Sequence, residues 1–423
     1  FAKSFDGNRN KAYATWQYFG SPVKSADRNQ LPLETTWVRK YDRTLNVPNS
    51  DEKWTDVNNG TLAQGQAYEI SQPKPATYRF IGELNTADFT FPVDGMASAT
   101  NYQDMNILAN PYTGAMSIDK LDFSGATAAD KVVYLFNTGS RKDWIANSGP
   151  TANGTTQGQY TKAIPTNLAG HVAGMPNQIP SLSSFMVKST GAGTLNYRYA
   201  DLITATEENR APERRFHSLA VDVESAKTAD RLWLVQAEGT TDRYDNGWDG
   251  EKIFAPGEAA LYAMQDRSYQ VTTTDAIGGF VPGDGEQNYK LTFHLDGGDG
   301  SQQYTLLDKR TGLTRAIHDG DTYEFTATKG DAAHRFTILG NGAKATADQR
   351  GFQISADLRR NFTVKNFTDQ PAEALVFDAA GKIQARFTVE PGSENTGTVV
   401  MPGAYVVRVS NKVTTLTQRF VMP

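Results

Sequence analysis

Short apolar segments, separated by glycine, proline, asparagine and aspartate, recur along the whole chain. Residues 132–137 and 231–236 are typical, because each is a run of about six residues rich in β-branched, aromatic and leucine side chains. Segments of this length between turn-forming residues predict β-strands. No long stretch has apolar residues at the spacing of an amphipathic helix. The pattern therefore predicts an all-β protein.

Breaks in this pattern divide the chain into three predicted domains. A charged connector around residues 207–215, with Pro212 inside it, separates a β-sandwich module of residues 1–211 from a second one of residues 212–345. Strand spacing indicates that both larger modules are jelly-roll-like sandwiches. Residues 351–423 form a third, small Ig-like sandwich, near the lower size limit for a self-sufficient core.

The last domain carries a recognisable order of residues. An apolar strand leads into Phe377, Asp378 and a Gly381-Lys382 turn, and residues 401–409 later read Met-Pro-Gly-Ala-Tyr-Val-Val-Arg-Val. This order resembles the C-terminal sorting domain of the type IX secretion system of Bacteroidetes. Met401 and Ala404 replace the leucine and the valine or isoleucine that are common there. The alternative is an ordinary terminal sandwich without a sorting role.

The sorting-domain resemblance implies an address label. In that family the domain directs a folded cargo across the outer membrane and is commonly removed when the cargo is anchored or released. The resemblance therefore implies the type IX secretion machinery as a partner. It also implies an extracellular or outer cell-surface location.

A second resemblance covers residues 60–200. The order Gly65 to Tyr68, Phe80 to Asn85, Asn106 to Tyr112, Val133 to Asn137 and Ile179 to Lys188 is similar to a module of large Bacteroidetes surface proteins. The resemblance implies no catalytic residues. The same residues are also explained as strands and turns of a sandwich.

Composition narrows the classes of function. The 423 residues have a net charge of −5, which argues against a nucleic-acid partner because such a partner requires a basic face. No apolar run is long enough for a membrane-spanning helix. The chain contains no cysteine, which excludes disulfides, thiolate metal sites and thiol catalysis. It begins at Phe1, which we interpret as a mature product or a fragment.

An acidic loop is the main candidate site. Its hard oxygen ligands suit Ca²⁺, although their spacing is not that of an EF-hand. The candidate metal ligands are Asp242, Asp245, Asn246, Asp249 and Glu251. The competing interpretation is a connecting loop in which these side chains cap turns. No other cofactor is expected.

No catalytic residues are assigned. The five histidines form no His-Glu-x-x-His motif, and no Gly-x-Ser-x-Gly elbow is present. Exposed tryptophans stack on sugar rings in carbohydrate-binding proteins, and three of the six lie in loop-like surroundings. These candidate ligand-binding residues are Trp54, Trp144 and Trp248. The competing interpretation is that a tryptophan in a β protein belongs to the core.

The sequence thus predicts a non-catalytic secreted or cell-surface module, adhesin-like or structural. Its further predicted partner is a glycan, or a protein of the host or of a cell surface. The alternative is a carbohydrate-binding module of a larger surface enzyme. A hydrolase with an unrecognised site is a third interpretation.

Overall fold

A computed structural model describes the chain in segments. These are residues 2–5, 16–48, 50–95, 102–137, 159–203, 216–226, 228–241, 243–254, 257–264, 267–273, 276–285, 288–297, 303–311, 313–329, 331, 333, 335–340, 352–356, 360–367, 370–411 and 415–422. The predicted connector at residues 207–215 lies almost entirely outside them. In the described segments the regular structure is β-strand, with four short 3₁₀ turns. The all-β prediction is confirmed.

The first eighteen strands precede residue 204. They are β1 (Ala2–Phe5), β2 (Gln17–Phe19), β3 (Ser25–Asp27), β4 (Trp37–Tyr41), β5 (Trp54–Asp56), β6 (Thr61–Ala63), β7 (Tyr68–Ser71), β8 (Ala76–Arg79), β9 (Phe89–Val93), β10 (Met105–Ala109), β11 (Ala115–Ser117), β12 (Asp122–Gly125), β13 (Val132–Asn137), β14 (Gln159–Pro165), β15 (Gln178–Ile179), β16 (Ser184–Lys188), β17 (Gly193–Tyr197) and β18 (Leu202–Ile203).

Eleven further strands precede residue 340, and seven form the C-terminal part. The eleven are β19 (Ser218–Glu224), β20 (Ala229–Val235), β21 (Gly250–Glu251), β22 (Ala260–Met264), β23 (Ser268–Thr272), β24 (Ala276–Val281), β25 (Asn288–Asp296), β26 (Tyr304–Asp308), β27 (Leu313–Ile317), β28 (Thr322–Thr326) and β29 (Phe336–Leu339). The seven are β30 (Phe352–Ala356), β31 (Asn361–Asn366), β32 (Ala372–Asp378), β33 (Ile383–Val389), β34 (Glu394–Thr398), β35 (Gly403–Ser410) and β36 (Thr415–Met422).

The chain divides into two compact units. Unit 1 comprises Phe1–Thr274, Pro282–Gly297 and Thr322–Ala327, and unit 2 comprises Asp275–Val281, Gly298–Asp321 and Thr328–Pro423. The three predicted domain boundaries stay a prediction.

Unit 1 contains several small antiparallel sheets and one longer one. Three of these sheets are ordered β2-β7-β4-β5, β10-β16-β13-β14 and β12-β17-β9, and the longer sheet includes β23-β20-β19-β25-β28. Within that stretch of the longer sheet the β20–β23 pair is parallel, and the other three pairs are antiparallel. One apolar cluster joins Phe185 and Tyr197 to the fully buried Trp233. This shared cluster fixes the segments before and after the connector in one body.

Unit 2 contains the C-terminal sandwich. Its two sheets are ordered β30-β31-β34 and β33-β32-β35-β36. Phe362 and Val364 from the first sheet and Val376 and Val407 from the second are fully buried between them. Burial of alternate residues on facing strands is the pattern that a two-layer sandwich requires.

Candidate functional site

The predicted calcium loop is bonded to a neighbouring segment of unit 1. The side-chain oxygen of Asn246 accepts a hydrogen bond of 2.6 Å from the Lys131 amide, and its nitrogen donates one of 3.1 Å to the Ala129 carbonyl. The Gly247 carbonyl accepts from the Asn167 amide at 3.1 Å. Gly247 has a φ of 90°, which glycine adopts without strain. These bonds fix residues 245–248 against residues 129–131 and 167.

The acidic side chains of the loop cap backbone amides. Asp249 is 1% exposed, and its carboxylate accepts from the Asp245 amide at 2.7 Å and from the Thr273 amide at 3.1 Å. Burial raises the pKa of Asp249, and these two hydrogen bonds oppose that rise. Asp245 in turn accepts from the Thr241 amide, and Glu251 pairs with Lys188 at 2.8 Å.

This geometry favours the capping interpretation of the loop. The described residues contain no group of three or more acidic, histidine or cysteine side chains that could hold a metal ion. Asp242 lies outside the described residues. A cation would compete with the amide donors for the oxygens of Asp245 and Asp249, because each oxygen has few free lone pairs. Calcium binding stays a prediction.

Aromatic side chains of the loop pack on the rest of unit 1. Trp248 is partly buried and meets Phe216 edge-to-face at a ring distance of 5.5 Å. Tyr244 stacks on Tyr269 at 6.2 Å, with the Arg267 guanidinium 4.3 Å from the Tyr244 ring. These contacts are those of a folded, packed loop.

The other two tryptophans proposed for ligand binding lie in different surroundings. Trp54 is 9% exposed and lies between Tyr18 and Tyr41, at ring distances of 5.1 and 5.3 Å. Its side chain therefore belongs to a core cluster and offers little surface to a sugar. Trp144 lies outside the described residues. A ligand-binding role for Trp54, Trp144 or Trp248 stays a prediction.

Trp37 is an exposed tryptophan that was a weaker candidate for ligand binding, because the sequence around it predicts a strand. Trp37, at the start of β4, is 50% exposed, and its indole N–H donates to the Asp56 carboxylate at 2.7 Å. Trp16 lies 5.0 Å from it, edge-to-face, with the Arg39 guanidinium 3.9 Å from the Trp16 ring. Arg39 also pairs with the buried Glu69. The alternation of β4 identifies the face that Trp37 occupies, but not whether another sheet covers that face.

A charged groove of about 580 Å³ lies beside the loop, and Asp119 and Asp122 are among the residues that line it. Burial raises the pKa of Asp119, but hydrogen bonds from Lys120 and Ser117 outweigh burial and lower it. Hydrogen bonds from Ser124 lower the pKa of Asp122. Both carboxyl groups are therefore ionised at neutral pH. Neither has the raised pKa that a general acid for glycoside hydrolysis requires.

In the described residues no helix is long and apolar enough to cross a membrane.

Comparison with known proteins gives a relative in Bacteroidetes. The chain is 30% identical, over 435 aligned residues, to the minor fimbrium subunit Mfa5 of Porphyromonas gingivalis. The alignment covers 96% of this chain and 35% of the relative, so the chain spans about a third of the relative's length. The 4% of this chain outside the alignment is about 17 of 423 residues. Even if all of these lay within residues 351–423, the alignment would include most of that region.

Among solved structures, the BSP domain of a biofilm-associated protein aligns with this chain at 9% identity and a TM-score of 0.18. The alignment covers 99% of this chain and 98% of the chain of that structure. That score is too low to indicate a shared fold. A family model described as a domain of unknown function, DUF8693, matches residues 7–339. Because this match covers most of the chain, the protein belongs to the DUF8693 family.

Proposed function

We propose that this chain is a non-catalytic, adhesin-like or structural module of a fimbrium-type assembly at the bacterial surface. The observation that carries the proposal is the 30% identity to a minor fimbrium subunit along 96% of the chain. The all-β architecture supports it, since stacked sheets with buried cores suit a structural or adhesive role. The loop with the most candidate ligands is used in capping and packing, which also favours a structural role.

We propose further that residues 351–423 are the sorting domain for type IX secretion. The strands that carry the resemblance are regular: β32 ends at Asp378, and its turn is closed by the Asp378 side chain, which accepts from the Ala380 and Lys382 amides at 2.9 Å. Gly381 in this turn has a φ of 79°, which favours glycine. The similarity to the fimbrial relative continues into this region.

Deletion of residues 351–423 from the natural protein, in a Bacteroidetes host with type IX secretion, tests the sorting role. The truncated protein should accumulate in the periplasm, while the full-length protein reaches the cell surface. Fractionation and surface labelling measure this distribution. Normal surface display of the truncated protein would refute the role. Electron microscopy with antibody to the chain tests the fimbrial role, since label should follow fimbriae.

A glycan-binding role is the second candidate, and the exposed Trp37 favours it. Half of its side chain is exposed, and the Asp56 hydrogen bond fixes the ring. An indole in a fixed orientation beside a carboxylate acceptor suits the apolar face and hydroxyl groups of a pyranose. Trp37→Ala should abolish binding on an array of hexose and N-acetylhexosamine oligosaccharides. Phe254→Ala, which removes another exposed aromatic side chain, serves as the control. Equal binding by both variants would remove this candidate.

A further inference from the structure

The outer face of one sheet of the C-terminal sandwich differs from an ordinary solvated face. In the β33-β32-β35-β36 sheet, Tyr405, Val407 and Val409 point into the core. Because strand residues alternate, Ala404, Val406 and Arg408 point outward. The register then defines the rest of the outer face, since paired residues lie on the same side of a sheet.

One end of this face is apolar. Val421 pairs with Ala404 and is 85% exposed. Phe377 pairs with both Val406 and Ile383, and Ile383 is 42% exposed. An antiparallel sheet with one solvated face usually carries polar residues at such positions. Ile383 and Val421 lie on opposite edge strands of the sheet, and the partly exposed Phe377 and Val406 lie on the strands between them. A contiguous exposed apolar surface of this kind marks an interaction surface.

The loop beside this end extends the apolar surface. Val400 is 83% exposed and Met401 is 67% exposed. Their carbonyl oxygens are hydrogen-bonded, by the Arg360 guanidinium and by the Tyr405 hydroxyl respectively. The loop is thus fixed by its backbone while its apolar side chains face solvent.

Three arginines lie next to the apolar end, and one acidic residue, Glu373, lies at the far end of the face. The Glu373 carboxylate is 3.6 Å from the Arg386 guanidinium. Leu375 pairs with Arg386 on one side and Arg408 on the other, and Arg419 pairs with Val406. The Arg386 side chain is 60% exposed, and Arg408 and Arg419 are exposed too. Leu375 is only 6% exposed although it points outward, which fits coverage by the aliphatic parts of its flanking arginines.

The charge of residues 351–423 differs in sign from that of the remaining chain. These residues carry eight basic and six acidic side chains, a formal charge of +2. The other 350 residues carry 34 basic and 41 acidic side chains, a formal charge of −7. An outer face with three arginines and one glutamate has a net positive charge and belongs to the basic part of an acidic protein, so it attracts an acidic partner.

We propose that this outer face is the surface through which residues 351–423 dock onto an acidic, partly apolar protein surface of the export machinery. The proposal rests on the sorting role proposed above. Arginine, methionine and aromatic side chains are enriched at protein–protein interfaces, and this surface includes three arginines, Met401 and Phe377. A symmetric contact between two copies is disfavoured, because both copies would bring the same net positive charge to the contact.

The edge of the same sheet suits a protein partner as well. β36 pairs with β35 along all eight residues from Thr415 to Met422 and is the last strand of its sheet in the described part of unit 2. Its other side presents backbone donors and acceptors to which an extended segment can add. A lipid surface has no equivalent use for this edge.

The test compares export of four forms of the natural protein in a Bacteroidetes host with type IX secretion. One carries Arg386→Glu, Arg408→Glu and Arg419→Glu, and one carries Val400→Ser and Val421→Ser. A charge-preserving form carries lysine at the three arginine positions. A matched control carries Lys40→Glu, Lys74→Glu, Arg79→Glu and Ile81→Ser, all at exposed positions of unit 1.

We expect the ratio of surface to periplasmic protein to fall at least tenfold in the first two forms. The lysine form should keep most of its export, and the control should export normally. If the valine and glutamate forms are exported normally, while the protein that lacks residues 351–423 stays in the periplasm, the docking surface is wrong and the sorting role stands. If the protein that lacks residues 351–423 is exported normally, the sorting role itself is wrong.

Two further measurements keep the outcome decisive. Thermal melting of the purified variants shows whether the glutamate form folds. If it does not fold, export of the valine form, which adds no charge, tests the docking surface. Sedimentation with phosphatidylglycerol vesicles tests the lipid alternative. Vesicle binding by the wild type that both variants lose would show that the face recognises anionic lipid, and would overturn the protein partner.

Discussion

Asp249→Ala should destabilise unit 1 by about 3 kcal/mol. The substitution leaves the Asp245 and Thr273 amides without the carboxylate that accepts from them. A buried donor left without a partner costs about 1–3 kcal/mol, and both of these hydrogen bonds are partly buried, so each loss lies in the lower part of that range. Together the two losses give about 2–4 kcal/mol. Removing a buried carboxylate, whose pKa burial raises, recovers part of that cost.

Urea unfolding followed by tryptophan fluorescence measures this loss. All six tryptophans lie at or before residue 248 and so belong to unit 1, which makes the signal specific for that unit. Asp245→Ala is the matched control in the same loop. Asp245 is less buried, and its carboxylate accepts from the exposed Thr241 amide. Its loss should be about 1 kcal/mol, because water can replace the acceptor.

A chelator distinguishes capping from calcium binding. If Asp249 acts by capping, the difference between wild type and Asp249→Ala is the same in calcium and in EGTA. If the loop binds calcium, the ion stabilises only the wild-type folded state, so the difference shrinks in EGTA. A loss below about 1 kcal/mol, or one present only in calcium, would contradict the capping interpretation.

Three further substitutions probe unit 1. Asn110→Ala should cost about 2–4 kcal/mol by urea titration, because the fully buried amide bonds four backbone groups, and a loss under about 1 kcal/mol would exclude this role. Burial raises the pKa of Asp222, but hydrogen bonds, first of all from Arg231, lower it to about 2. The ionised Asp222 carboxylate therefore stabilises the folded state. This stabilisation is fully present above the pKa of an unfolded aspartate, about 4, and is lost as pH falls toward 2. Asp222→Asn should therefore remove about 2 kcal/mol at pH 7 and flatten the acid side of the stability profile. Gly250→Ala places a Cβ 2.8 Å from that of Ala163 and should lower the free energy of unfolding by about 1–3 kcal/mol. An unchanged urea midpoint would show that β21 and β14 can move apart without loss of stability.

The strands were predictable because their signal is local. β13 and β20 coincide closely with the apolar runs in the sequence, and the turn after Asp378 is where glycine places it. The C-terminal sandwich was predictable for a further reason. In β30 and β31 the residues alternate between a more exposed, mainly polar face and a buried apolar face, so period two is visible directly in the residue types.

The surroundings of the tryptophans were not predictable. Trp54 opens β5 and is covered by Tyr41 of the adjacent β4 and by Tyr18 of β2 in the same sheet. Trp37 opens β4 in the same sheet and is half exposed. Both are tryptophans at strand starts, and the difference arises from which part of the sheet faces another core cluster. That is a long-range property of packing, and no local pattern records it.

The acidic loop shows why residue type alone does not separate a metal site from a structural one. A calcium site and a capped turn both require short side chains with oxygen atoms, so Asp245, Asn246 and Asp249 satisfy either description. The two differ in where the oxygens point. A metal site directs several oxygens to one point, whereas here each oxygen of Asp249 meets a different backbone amide. Asn246 meets a third segment at residues 129–131. Oxygens that point apart fix several segments together, in a chain that contains no cysteine to form a disulfide.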